Sequence, residues 1–252
     1  MVAIIIFFFA HHYLSLFSQS FLMHRYAAHA AFTMNKFWER FFYLFAYVTM
    51  GSSYLSAWAY GVMHRMHHAY ADTPKDPHSP KYFNNLFAMM MHTEKIYGGI
   101  GNGTIQVEER FKKNVPSWPS FDKWARSWPS RIMWGMIYFA FYFYFAPSIW
   151  WYLLLPVHFF MGPVHGAIIN WFAHKYGYVN FKASNTSKNL MPLDVFMLGE
   201  GYHNDHHKFP SRINFGVKWY EIDPLYPIIL FFNFVGIVKV KQTSYGHVEA
   251  EF

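Results

Sequence analysis

The chain has 252 residues, of which 54% are hydrophobic, 23% aromatic and only 14% charged, against roughly 25% charged in soluble domains. This balance excludes an ordinary soluble domain and points to a membrane. The absence of cysteine excludes disulfides, zinc ribbons, iron–sulfur clusters and thiolate-bound haem, so any metal must rest on histidine, carboxylate or amide ligands.

Residues 1 to 23 contain no Asp, Glu, Lys or Arg, room enough for one spanning helix of about 20 residues. With no basic n-region and no small-residue cleavage site, the segment reads as a retained anchor. His11 and His12 inside it read as buried, hydrogen-bonded histidines, in preference to a proton path. Next comes His24-Arg25-Tyr26-Ala27-Ala28-His29. On an ideal α-helix positions i and i+5 lie about 140° apart, so these two rings need a helix end or two different metals.

Residues 41 to 61 are also uncharged, but they contain Gly51-Ser52-Ser53, Ser56 and four tyrosines. A crossing there would put His24 and His64 on opposite faces of the membrane. The segment is therefore expected to lie in or under the interface as a largely buried helix. It delivers His64-Arg65-Met66-His67-His68, whose i, i+3 and i+4 histidines share one helical face. A proline-punctuated loop at 72–80 and a glycine-rich turn at 98–103 follow, the latter without a nucleotide-binding fingerprint. The basic stretch 108–131 carries Trp118, Trp124 and Trp128 as interface anchors.

Residues 132 to 174 again lack charge and have room for two spans, expected near 132–152 and 157–175 as a hairpin turned at Pro147, Pro156 or Gly162-Pro163. His158 and His165 take the same buried reading as His11 and His12. Asn170 and His174 sit at i, i+4 where the last span emerges. With three spans, near 2–23 and at these two positions, all 21 Lys and Arg fall on one face, the cytoplasmic one under the positive-inside rule, and the N-terminus lies outside. The net charge of +7 with histidines neutral sets this topology or meets anionic headgroups or a phosphate-bearing acyl carrier; nothing suggests nucleic acid. Residues from 175 onward form a cytoplasmic cap. It holds His203-Asn204-Asp205-His206-His207, a second copy of the His-x-x-His-His spacing, and an apolar stretch, 225–240, too short to cross. The fold class is all-α: residues 1–252 as a single integral-membrane helical domain, about three spans beneath a cytosolic helical cap that holds a histidine-rich site.

Sixteen histidines in such a protein are the most informative feature, since ionisable groups at a bilayer are costly and functional. Nine of them, with one amide, can converge at the cytoplasmic ends of the helices. One metal rarely takes more than six ligands, so nine nitrogens imply two metals with four or five histidines each. Imidazole suits iron, zinc, copper or nickel. Redox chemistry on a lipid is the use that needs two; zinc hydrolysis lacks its His-Glu-x-x-His base. Asp205, between the histidines of its box, is expected to face solvent. His92 and His247 read as ordinary loop residues, and His78 is left open between supporting the site and packing.

These motifs resemble the membrane fatty acid desaturase family, in particular its acyl-CoA Δ9 (stearoyl-CoA) branch and bacterial relatives. The matching segments are His24-Arg-x-x-x-His29, His64-Arg-x-His67-His68, Asp76-Pro-His-Ser79, Asn170-x-x-x-His174-x-x-Gly-Tyr178 and Gly199-Glu-Gly-Tyr-His-Asn-Asp-His-His207. The resemblance implies two iron ions held by His24, His29, His64, His67, His68, His174, His203, His206 and His207, with Asn170 reaching one iron through a water. It implies O2 as co-substrate and a kinked tunnel for a long-chain acyl group on CoA or lipid. It also implies a separate electron donor, such as ferredoxin or cytochrome b5 with its reductase, and an active site on the cytoplasmic face of a bacterial inner membrane. Family members commonly have one more span before the first box, where here about 23 residues precede it.

Asp76 and Glu200 are candidates to accept the second ring N–H of ligand histidines, with surface salt bridges as the alternative. Tyr60 and Trp171 are candidates to line the tunnel, with simple packing as the alternative. The expected activity is insertion of a cis double bond into an acyl chain. A hydroxylase or ketolase with the same cluster is the sister reading. A non-enzymatic membrane metal-binding protein is a third, and it predicts ligands at mid-bilayer instead of at the helix ends.

Overall fold

A computed structural model describes residues 1–244; His247 lies outside the described residues. The fold is mostly helical. Helix α1 (Val2–Ser18) runs without a break into a π-helical segment, Gln19–Ala28. This continuous rod, Val2–Ala28, is the one helix among the described residues long and apolar enough to cross a membrane.

The uncharged segment 41–61 is two helices and not one. Asn35 caps α2 (Lys36–Met50) by accepting from the Trp38 amide at 3.0 Å, and Ser56 caps α3 (Ala57–Tyr70) through the Ala59 amide at 3.3 Å. Helix α2 runs antiparallel beside α1: Phe42 packs on Phe21 with ring centroids 4.6 Å apart, and Thr49 bonds Ser18 at 2.7 Å. A 3₁₀ turn at Gly51–Ser53 reverses the chain, and α3 returns with the first histidine box. Gly51 adopts φ +52°, and a Cβ there would meet the Tyr138 hydroxyl at 1.7 Å, so only glycine fits this turn. The hairpin enters and leaves on one side, which keeps His24 and His64 together. Phe37, Phe41, Leu44 and Val48 form an exposed apolar stripe along α2 at helical spacing.

Helix α4 (Leu86–Gly101) and the short α5 (Glu109–Lys112) and α6 (Pro119–Ala125) lead to α7 (Trp128–Phe145). Helix α7 has spanning length, but Arg131, two tryptophans and three tyrosines hold its mean hydropathy down. The chain turns at residues 146–148, around Pro147. It then forms a 3₁₀ segment (Ile149–Leu154) with α8 (Leu155–Phe159), followed by α9 (Met161–Ala167) with a second π-helical segment, Ile168–Phe172. These last two rods together have spanning length and composition but are bent by 68°. The hairpin expected near 132–152 and 157–175 is thus an 18-residue helix and a bent pair.

The cap contributes α10 (His203–Lys208) and α11 (Leu225–Phe234). The only ladder among the described residues is antiparallel, β1 (Phe32–Thr33) against β2 (Lys239–Val240), with Phe32 opposite Val240. The main core lies between the first π segment, α2, α3 and α11, around Phe21, Phe32, Phe42, Tyr43, Tyr54 and Ile229.

Candidate metal centre

Nine histidines from four places in the fold meet in two groups. The first is His24, His29, His64, His68 and His206; the second is His67, His174, His203 and His207. In the first group the Nε2 atoms stand 3.0 Å apart for His24 and His206, 2.9 Å for His29 and His64, 3.0 Å for His64 and His68, and 2.9 Å for His68 and His206. In the second the distances are 3.1 Å for His67 and His207, and 3.0 Å both for His203 and His207 and for His174 and His203. Two nitrogens bound to one ion at about 2.05 Å stand about 2.9 Å apart at a right angle and about 3.3 Å apart at a tetrahedral angle. The spacing therefore fits metal coordination, closer to octahedral edges than to a tetrahedron, a geometry that leaves positions open beside five or four nitrogens.

Each His-x-x-His-His box is divided between the groups. Helix α3 gives its i, i+4 pair, His64 and His68, to the first and His67 to the second; α10 gives His203 and His207 to the second and His206 to the first. The two short helices thus exchange ligands across the centre. The i, i+5 pair His24 and His29 falls in one group because the segment between them is π-helical: the His29 amide bonds the His24 carbonyl at 3.1 Å. A π turn closes from i to i+5 and stacks such residues one above the other, which an α-helix does not. Burial first, and then neighbouring histidines, push His64, His68, His203, His206 and His207 well below the ordinary histidine range. His67 is depressed in the same way by burial and His174. Their lone pairs are free for a metal at neutral pH.

Both carboxylates picked out in the sequence meet rings of these two groups. His24 donates from Nδ1 to Glu200 Oε2 at 2.5 Å, and His67 donates from Nδ1 to Asp76 Oδ1 at 2.9 Å. Burial alone would raise Glu200, but His24, the Arg25 guanidinium and Ser20 outweigh it and hold the carboxyl down at about 2. Asp76 is fixed in turn by the amides of His78 and Asp72.

Sequence spacing gave no sign of several other supports. His174 donates from Nδ1 to Thr186 Oγ1 at 3.1 Å; the Thr186 amide bonds Asp72 at 2.5 Å, and Asp72 also accepts from Ser79 at 2.5 Å. His207 Nδ1 lies 3.3 Å from the Asn185 amide. Asp205, expected to face solvent, is instead 1% exposed. Asn180 donates to its carboxylate at 2.9 Å and to Glu221 at 2.7 Å. Burial, and then Glu221, push Asp205 up. The box turns its middle residue inward because α10 is roofed by the 180–189 loop.

A small cavity of about 40 Å³ borders the two histidine groups. Its walls include His24, His64 and His203, and also Tyr60, Met63, Gly166, Ile169 and Asn170. Asn170 thus reaches the cavity from the second π segment. Tyr60 lines it; Trp171 is not among its lining residues, and its ring instead faces Lys175 Nζ at 3.4 Å. His78 is buried against the His67 ring, with centroids 4.2 Å apart, and also lines the cavity. The histidines of the apolar helices are buried and hydrogen-bonded: His11 to His158 at 2.7 Å, His158 to the Tyr142 hydroxyl at 2.8 Å, His12 to the Phe196 carbonyl at 2.9 Å, and His165 to His12 at 3.2 Å.

Comparison with known proteins gives concordant results. Residues 1–231 match the sequence profile of the family described as fatty acid desaturase. Delta-9 acyl-lipid desaturase 2 of Arabidopsis thaliana is 29% identical over 231 residues, covering 88% of this chain and 70% of that protein. Delta-9 acyl-lipid desaturase 1 of the same plant is 28% identical over 230 residues, covering 88% and 70%. The sn-1 stearoyl-lipid 9-desaturase of Synechocystis sp. is 25% identical over 235 residues, covering 86% of this chain and 64% of its own length.

Proposed function

The chain belongs to the fatty acid desaturase family, and from that premise we propose that it is an O2-dependent enzyme placing a cis double bond at the Δ9 position of a long-chain acyl group, with two irons as its metals. The observation that carries the reading is the pair of imidazole groups, five nitrogens and four, at 2.9 to 3.1 Å spacing beside one cavity. Two irons held there would supply the two-electron activation of O2 that breaking an unactivated C–H bond requires.

The reaction balances as R–CH2–CH2–R′ + O2 + 2e⁻ + 2H⁺ → R–CH=CH–R′ + 2H2O, with the electrons arriving from a separate carrier such as ferredoxin or cytochrome b5. The protein's part is positional. Met63, Gly166 and Ile169 border the space beside the metal groups where the reacting carbons would lie, and Asn170 faces the same space. Glu200 and Asp76 fix the tautomers of His24 and His67 so that Nε2 faces the metal.

The acyl carrier is CoA or a membrane lipid; the sequence motifs favour the first, the names of the relatives the second. The reading includes three crossings, at Val2–Ala28, at α7 and at the bent pair, with the metal groups on the cytoplasmic face of a bacterial inner membrane. The test is double-bond localisation by mass spectrometry on total fatty acids from an aerated host, with a supplied electron donor, expressing wild type or His203→Ala. New Δ9 monounsaturated chains with wild type alone are expected, and lipid-class separation within minutes of a labelled-acyl pulse distinguishes the carriers. Hydroxylated or ketonic chains would assign the protein to oxygen insertion instead.

A further inference from the structure

The first π-helical segment carries two ligands of the five-nitrogen group, and its geometry is held from outside. A ten-residue π run is rare, since single bulges inside α-helices are the rule. Left alone, the segment gains by reverting to α-helix, which swings His29 about 140° around the axis from His24. What prevents this is on the neighbouring helix. Arg65 donates from Nε to the Ala28 carbonyl at 2.7 Å and from Nη2 to the Ala27 carbonyl at 3.0 Å, while Nη1 holds the Lys113 carbonyl at 2.6 Å. These are the last carbonyls before His29, the ones a helix end leaves without intrahelical partners. Gly61, one turn before Arg65, lets α3 come this close: a Cβ there would sit 3.2 Å from the Ala27 carbonyl. On the other side Arg25, 0% exposed, bonds Glu200 at 2.9 Å and Asp223 at 2.7 Å and stacks on Phe215 at 3.6 Å.

We propose that Arg65 is a positioning residue for the five-nitrogen metal site alone: its guanidinium pins the π turn so that His29 faces His64, and the four-nitrogen site does not depend on it. The four-nitrogen group takes only His67 from α3 and nothing from the π segment, so loss of the clamp empties one site and leaves the other. The inference rests on the two-metal reading above.

The experiment measures iron per chain, by elemental analysis, and iron affinity, by competition with a chelator, on full-length protein in detergent. Wild type is expected to hold two irons; fewer than two in wild type would count against the two-metal reading and not against Arg65. Arg65→Gln is expected to hold one, with affinity at the emptied site lower by about 10- to 100-fold. Adding His206→Ala to Arg65→Gln should leave the count at one iron, because both act on the same site, whereas adding His203→Ala should remove the remaining iron. Two irons bound with wild-type affinity in Arg65→Gln, or equal weakening of both sites, would overturn the proposal. If Arg65→Gln does not accumulate, Arg65→Lys keeps the charge but loses the fork, and it should weaken the same single site to a lesser degree. Unchanged affinity in Arg65→Lys would overturn it equally.

Discussion

At the scale of single residues, four of the nine imidazoles, His24, His67, His174 and His207, have a side-chain partner at the other ring nitrogen. Thr186 is the informative case, because it accepts from His174 while its own amide is fixed by Asp72. Thr186→Val removes one hydroxyl at nearly constant volume. Iron affinity at the four-nitrogen site is expected to fall about 10- to 100-fold, with the five-nitrogen site unchanged in a chelator competition; no change at either site would remove Thr186 from the support of His174. The clustered histidines were legible as boxes, because i, i+3 and i+4 spacing survives whatever the tertiary structure does. Glu200 and Asp76 were legible as acids inside the same motifs. Thr186 and Asp72 were not, since they are 114 residues apart and become partners only when the 180–189 loop folds over the site. Asp205 was misread for a related reason: polarity suggested solvent, while Asn180 and Glu221 provide a buried polar seat that no local pattern announces.

At the scale of elements, the turn between α2 and α3 carries the largest local constraint. An alanine at residue 51 would meet both a left-handed backbone and the Tyr138 hydroxyl. Gly51→Ala is expected to cost roughly 2–5 kcal/mol, from about 1–2 for the backbone and about 1–3 for overpacking, read as a drop in thermal midpoint in detergent. Gly51→Ala with Tyr138→Phe should recover only part of it, because the backbone strain stays and the hydrogen bond from the Ser52 amide is lost; full recovery would show that the turn has no conformational demand. Gly51-Ser52-Ser53 and Ser56 weighed against a crossing in the sequence, but the segment read as one helix where the structure has a pair joined by a turn. The π turn is a different matter. Tyr26-Ala27-Ala28 accept α geometry readily, so the i, i+5 spacing of His24 and His29 looked awkward until α3 and Arg65 were in place.

At the scale of the whole molecule, topology and metal content make separate predictions. The chain has no cysteine, so single-cysteine variants report sidedness without background. Val2→Cys should react with an impermeant maleimide from the periplasmic side of intact cells, and Lys182→Cys only after lysis; labelling of both from one side would refute three crossings. On the two-metal reading, binding would join the first π segment, α3, the turn after the second π segment and α10, so each occupied site at 100 times its dissociation constant would add about 2.7 kcal/mol. Chelation is expected to lower the thermal midpoint of wild type, and to lower it less in His206→Ala, where one site is already lost. Hydrophobicity and the charge-free stretches made the mostly helical fold and its one long apolar rod legible. The 68° bend between the last two rods was not, because Gly162-Pro163 marks a break without fixing its angle.

The division of each histidine box between two groups also fixes an order of events in the life of the chain. His24 and His206, neighbours in the first group, are 182 residues apart, and the second group is likewise incomplete until His203 and His207 exist. Neither set can be finished on the ribosome before α10 has been made. On the two-iron reading, iron capture therefore follows the synthesis of α10. Cells starved of iron should accumulate full-length, inserted, empty protein, and adding iron should restore desaturation even when translation is blocked.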